Sequence, residues 1–165
     1  MLTYDRYRTP IGKLTIVKSD HGVCYIGLPS VGPEQVQAWA QRYFPGESLR
    51  MTPAPFEQER RELLEYVQGY RTEFTFPIDH RNTPFSQHVL KEVSQVPYGG
   101  TASYGEIAQR VGRPQAARAV GRAVATNPLA LVIPCHRVVG TDGSLTGYGG
   151  GLRLKKHLLR MEAQR

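Results

Sequence analysis

Between Thr83 and Ala125 the chain is divided into helices by its own punctuation, and no other stretch restricts the fold as much. Thr83 can cap a helix whose first position is Pro84, where the missing N–H costs nothing. Phe85, Val89, Val93 and Val96 supply an apolar stripe, and Pro97 with Gly99-Gly100 ends it. Ser103-Tyr104-Gly105-Glu106 has capping-box spacing and opens a second helix that runs through Arg110. Val111-Gly112-Arg113-Pro114 is a tight turn into a third helix, expected from Pro114 to about Ala125. Helix, short glycine turn, helix is the helix-turn-helix plan.

The exposed face of the third helix is unusual. Ala116, Ala117, Val120, Ala123 and Val124 cluster on the side expected to face inward. The other side carries Gln115, Arg118, Ala119, Gly121, Arg122 and Ala125. Small residues let a helix backbone come very close to a partner, and arginines four apart can grip phosphate or probe a groove. Taken alone, the pattern also suits a plain alanine-rich helix with solvated arginines. Charge adds weight to the first reading. Residues 1–83 carry ten Lys/Arg and ten Asp/Glu, whereas residues 84–165 carry eleven against four, the whole +7 excess of the chain. A one-sided basic half is the footprint of a polyphosphate binder, although basic surfaces also serve solubility.

The first half reads as a scaffold. Leu2 to Arg8, Leu14 to Val17 and Val23 to Leu28 are expected strands, the last two joined by Ser19-Asp20-His21-Gly22. Glu34 to Tyr43 and Phe56 to Tyr70 are expected helices, the second with Leu63, Leu64 and Val67 inward, and Phe74-Thr75-Phe76 a returning strand. Polar, aperiodic Asp79 to Thr83 is the linker, which sets a scaffold domain at 1–78 and a second domain at 84–165. No apolar run is long enough to span a bilayer and the N-terminus lacks a signal-peptide pattern, so a cytoplasmic location is expected. The two cysteines, Cys24 and Cys135, belong to no Cys-x-x-Cys pair, and the five histidines are scattered, so no zinc site is expected. Cys24 sits in an expected strand as a small core residue.

Cys135 lies in Ile133-Pro134-Cys135-His136-Arg137-Val138, after the apolar run Leu129 to Ile133 that is expected to deliver it as a strand. A cysteine is nucleophilic only as thiolate, so it needs a base or positive charge nearby, and His136 and Arg137 are candidates. Adjacent side chains on a strand diverge, so a water or a bend at Pro134 would have to connect Cys135 with His136. Arg153 to Ala163 is helical by pattern, with Leu154, Leu158 and Met161 apolar and Glu162 at the edge of that stripe. A carboxylate facing a core needs a partner, and His136 is the inferred one. The alternative is a solvated Glu162 at a frayed end. Gly143 to Gly151 is a glycine-rich loop with one aromatic, Tyr148, and no Walker ending. It can bring backbone N–H groups and a ring against a flat ligand, or serve as a flexible connector.

Together these motifs resemble the O6-alkylguanine-DNA alkyltransferases, and in particular their bacterial Ogt-type members. Pro134-Cys135-His136-Arg137-Val138, the preceding helix-turn-helix and the following glycine-tyrosine loop carry the resemblance over residues 84–165. Thr9-Pro10-Ile11-Gly12 and the hydrophobic strands extend it weakly over the first half. The resemblance implies an α+β chain: a small N-terminal α/β domain, ribonuclease-H-like, then a mainly helical domain with the helix-turn-helix. It implies irreversible, single-use transfer of a methyl or other alkyl group from guanine O6, and less strongly thymine O4, in duplex DNA to Cys135. No cofactor is implied, because the electrophile arrives on the base.

The implied catalytic set is Cys135, His136 acting through water, Glu162 polarising the imidazole, Tyr104 donating to the guanine ring, and Asn127 bracing the turn before the cysteine. Carbonyls of Cys135 and Val138 would accept from the guanine amino group. Tyr148 would wall the alkyl pocket, and Gly149 with Gly150 would present the loop backbone to O6. Gly149 departs from the serine many relatives carry. Arg118 would be a finger filling the gap left by a flipped nucleotide, with Ala116, Ala117, Ala119, Gly121 and Arg122 against the minor groove. The partner is DNA containing O6-alkylguanine, not a membrane; the chain is expected to be a monomer that can touch neighbouring copies along DNA. Competing readings are an alkyl-lesion sensor without transfer, whose members carry tryptophan where Cys135 stands, a Cys-His-Glu hydrolase, and a sequence-reading regulator. The last predicts long polar side chains on the exposed helix face, where mostly small ones occur.

Overall fold

Three strands in the first half pair as an antiparallel meander: β1 (Leu2–Thr9), β2 (Gly12–Ser19) and β3 (Gly22–Gly27). The structure, a computed structural model, describes residues 1–52 and 56–164. A short β4 (Leu49–Met51), not foreseen from sequence, adds in parallel to β1 and completes the order β3-β2-β1-β4. Helix α1 (Pro33–Tyr43) covers one face; Val36, Ala40 and Phe44 bury against Leu2, Val17 and Cys24. Cys24 is therefore a core residue, and burial pushes its thiol up to about 12.

Helix α2 (Glu57–Val67) turns differently from expectation. Leu63, Tyr66 and Val67 are buried but Leu64 is 37% exposed, and Glu59 and Glu62 point inward instead. Each buried acid has a partner: Glu59 pairs with Lys18 at 2.8 Å, and Glu62 accepts from the Thr75 N–H at 2.7 Å and its hydroxyl at 2.6 Å. The bond from the Thr75 N–H explains why Phe74-Thr75-Phe76 is not a strand. The Thr75 amide is spent on a side chain rather than a ladder, while the Phe74 ring packs between Tyr66 and Phe76.

This sheet unit spans Met1–Arg81, and a second compact unit spans Asn82–Arg165. In the second, Thr83 caps α3 (Pro84–Val93) by accepting the Ser86 N–H at 3.2 Å. Its buried stripe is Ser86, Val89, Leu90 and Val93; Phe85 is half-buried beneath the Arg113 guanidinium, 5.1 Å from the ring centre. Ser103 and Glu106 close a reciprocal capping box at 3.0 and 3.2 Å and start α4 (Tyr104–Arg110). Gly112, with φ +76°, then takes a left-handed conformation that suits glycine and reverses the chain. Helix α5 begins at Ala117, not Pro114, and ends at Ala125. Pro114 and Gln115 form a turn closed by the Ala116 N–H on the Arg113 carbonyl at 2.9 Å, so winding starts three residues late. A two-residue parallel pair, β5 (Ala102–Ser103) with β6 (Val138–Val139), and α6 (Leu152–Ala163) complete the unit. Among the described residues no helix is long and apolar enough to cross a membrane, and no cluster of three or more His, Cys, Asp and Glu could hold a metal ion.

Candidate active site

Asn127, just after α5, organises the approach to Cys135. Its Oδ1 accepts the Leu129 N–H and its Nδ2 donates to the Ile133 carbonyl, both at 2.9 Å. The apolar run does not form the expected strand. Leu131, 1% exposed, takes φ +72°, a conformation disfavoured for a side-chain-bearing residue, so the chain doubles back. Cys135–Arg137 then form a single 3-10 turn that feeds β6. Cys135 keeps 9% exposure. Burial raises its thiol pKa; the Asn127 side chain, the Lys155 cation and the N–H groups of Cys135 and His136 pull the other way.

Behind the thiol lies a closed charge network. His136 is 0% exposed and its Nε2 is 2.8 Å from Glu162 Oε2. Arg137 grips the same carboxylate with both arms of its fork, Nε to Oε1 and Nη2 to Oε2, each at 2.8 Å. Its remaining arm donates to the Val96 carbonyl at 2.8 Å. Burial holds the His136 pKa below the usual histidine value, against the opposing pull of Glu162. Glu162 is thus fixed in the core of the unit rather than frayed. Arg137, a candidate for activating the thiol, instead spends its donors on Glu162 and Val96.

The loop before α6 closes the site. Tyr148 stands edge-on to the His136 ring at 6.5 Å, and burial together with the nearby Cys135 keeps its hydroxyl neutral. Gly149 is exposed with open space where a Cβ would stand, so a serine there would fit; Gly150 is half-buried. The Val138 carbonyl already accepts Lys155 Nζ at 2.6 Å, which leaves one lone pair for a further donor. Lys155 went unnoticed in the sequence. The buried line of α6 is Lys155, Leu158 and Glu162, spaced i, i+3, i+7, and not Leu154, Leu158, Met161. A lysine and a glutamate in register with a buried leucine was the available signal.

Tyr104 opens α4, half-buried, and a Cβ at Gly121 would lie 3.9 Å from its ring. Arg118 and Arg122 are exposed, and neither is ion-paired with a described carboxylate. Ala116, Ala117 and Ala119 are half-buried beside them.

A buried imidazole–carboxylate pair thus sits next to a cysteine, in one unit with a helix of small residues and two exposed arginines, the arrangement expected of a protein class that brings a thiol to a polyanion. Residues 84–164 match the model of the 6-O-methylguanine DNA methyltransferase DNA-binding domain, and residues 2–80 that of the ribonuclease-like domain of the same proteins. A Mycobacterium tuberculosis methylated-DNA–protein-cysteine methyltransferase is 42% identical over all of this chain and 94% of its own length. The inducible enzyme of that name from Bacillus subtilis is 39% identical over 86% of this chain and 79% of its own. The crystal structure of M. tuberculosis OGT in complex with DNA superposes with TM-score 0.84 at 38% identity, covering 98% of this chain and 93% of that one. The chain belongs to the 6-O-methylguanine DNA methyltransferase family.

Proposed function

We infer that this protein repairs DNA by direct reversal, moving an alkyl group from guanine O6 in duplex DNA to Cys135, once per molecule. The observation that carries this reading is the His136–Glu162–Arg137 network fixed behind a cysteine in the DNA-binding unit. An ionised carboxylate only accepts hydrogen bonds, so Nε2 of His136 carries the hydrogen toward Glu162 and Nδ1 carries the lone pair that serves as base.

The step balances without a cofactor. The Cys135 thiol gives its proton to His136 through a water, and the sulfur attacks the alkyl carbon. The carbon–oxygen bond breaks with its electron pair staying on guanine, which takes up one proton to become the normal base. Tyr104 donates its hydroxyl to the ring as negative charge develops there, and the Gly149 and Gly150 backbone faces O6. The Cys135 and Val138 carbonyls hold the exocyclic amine, and Tyr148 walls the alkyl group. The thioether formed has no route back, so the protein is consumed.

The O6 substituent is out of reach inside the stack, so the nucleotide must be flipped. Arg118 enters the vacated space, while Ala116, Ala117, Ala119, Gly121 and Arg122 lie along the groove. Residues 84–165 do this work and residues 1–78 act as scaffold, joined by 79–83. The protein works as a cytoplasmic monomer on DNA containing O6-alkylguanine. The presence of Cys135 favours transfer over lesion sensing. The test is a titration with duplex containing radiolabelled O6-methylguanine in excess. Protein-bound label that stops at one methyl per molecule supports the reading; continued turnover, or binding with no label transferred, refutes it.

A further inference from the structure

Lys155 is a buried cation without a carboxylate. It is 0% exposed, and Nζ donates to the carbonyls of Val138 at 2.6 Å and Thr146 at 2.8 Å. Two carbonyls satisfy donors but do not neutralise a charge, and a lone ammonium away from water is costly. Among the described residues no carboxylate lies within ion-pair distance of it. Glu162, on the same line of α6, is taken by Arg137 and His136.

We propose that Lys155 is a positioning residue for alkyl transfer, a fixed positive charge whose counter-ion is the thiolate of Cys135 and whose two carbonyl bonds pin the glycine loop to Val138. The proposal rests on Cys135 being the acceptor. Arg137 and Lys155 then have separate duties: the first neutralises Glu162, and the second faces the sulfur. Consistent with this, the Lys155 cation favours the thiolate, and Cys135 is the group that counteracts the desolvation of Lys155. Lys155 is anchored to the carbonyl of Val138, whose own N–H donates to the Cys135 carbonyl at the end of the 3-10 turn, and its second bond holds the loop that carries Tyr148. The titratable and charged groups around that turn are Lys155 from α6, Tyr148 from the loop, and His136 and Arg137 on the turn itself; His136 is neutral and the Arg137 charge is matched by Glu162, so the positive charge left unbalanced is that of Lys155. The same bonds place Lys155 between the Val138 carbonyl and the loop that bears Tyr148, so its removal frees both walls of the substrate slot.

The test follows the pH dependence of Cys135 alkylation by iodoacetamide, read by the mass of the Cys135 peptide, in wild type, Lys155→Met and Lys155→Arg. Lys155→Met is expected to move the midpoint up by about 0.5 pH unit or more, a roughly threefold or greater loss of thiolate at neutral pH, and Lys155→Arg to restore most of it. Proteolysis within residues 141–151 should also quicken in Lys155→Met. A folded Lys155→Met protein with the wild-type midpoint overturns the proposal, whatever its transfer rate. Should that variant not fold, wild type with 13Cε-labelled lysine is titrated by NMR before and after Cys135 is capped with iodoacetamide. Capping is expected to lower the Lys155 titration midpoint, and an unmoved curve overturns the proposal. No readout uses DNA, so failure here is distinct from failure of the transfer reading.

Discussion

Glu162→Gln keeps the size of the side chain and removes its charge, at a buried position that receives three hydrogen bonds of 2.8 Å. Two consequences follow. The Arg137 guanidinium stays buried with no counter-charge; breaking a buried pair from one side costs about 3–5 kcal/mol. The glutamine oxygen still accepts one bond, so the lower end, about 3 kcal/mol, is the reasonable figure. For a unit of this size that lowers the melting temperature by on the order of 10 °C or more.

The second consequence is chemical. The glutamine NH2 takes the place of either Oε1, against Arg137 Nε, or Oε2, against Arg137 Nη2 and His136 Nε2, so one arm of the guanidinium meets a donor in both. In the second placement Nε2 becomes an acceptor and Nδ1 takes the hydrogen, and in both the imidazolium formed on proton transfer loses the negative charge beside it; losing the general base costs about 100- to 10,000-fold in rate. Single-turnover transfer from an O6-methylguanine duplex, measured below the variant's melting range, reads the second effect; scanning calorimetry reads the first. A variant that melts within a degree or two of wild type, or transfers at the wild-type rate, refutes the network as drawn.

Arg118→Ala is expected to slow transfer from duplex DNA by about tenfold or more, the order of one lost charged contact, while reaction with free O6-benzylguanine is nearly unchanged; equal losses on both contradict the finger role. Gly121→Ala should fold, since its Cβ meets only the Tyr104 ring at 3.9 Å, and should gain up to about 1 kcal/mol in urea unfolding, yet bind DNA more weakly. Unimpaired binding would show that close backbone approach does not matter. Burial depresses His136, so the unfolded chain binds its proton more readily than the folded one. That stability is present above pH 6.5 and is lost as pH falls from there through the depressed folded value. Urea midpoints should drop from pH 7.5 to 5.5 by more in wild type than in His136→Asn; parallel curves would count against it.

The helical half was legible because its signals are local. Thr83, the Ser103–Glu106 box and Gly112 act within a few residues of themselves, and each does what its type dictates. The errors arose where a distant group overrode a local pattern. Phe74 to Phe76 looks like a strand until Glu62 captures the Thr75 amide. Leu129 to Ile133 looks like one until Asn127 ties both ends of the run and Leu131 reverses it. At the site, the pairing of His136 with Glu162 could be inferred because a carboxylate on an apolar stripe demands a partner. Arg137 and Lys155 could not be assigned to opposite duties, because nothing in spacing says which cation reaches the carboxylate and which reaches the carbonyls.

The most direct measurement is the location of the methyl group. After reaction with O6-methylguanine duplex, the protein is digested and its two cysteine-containing peptides are weighed. One methyl on the Cys135 peptide, none on that of Cys24, and none anywhere in Cys135→Ser are the predicted results. Methyl found elsewhere, or transfer that survives in Cys135→Ser, contradicts the account.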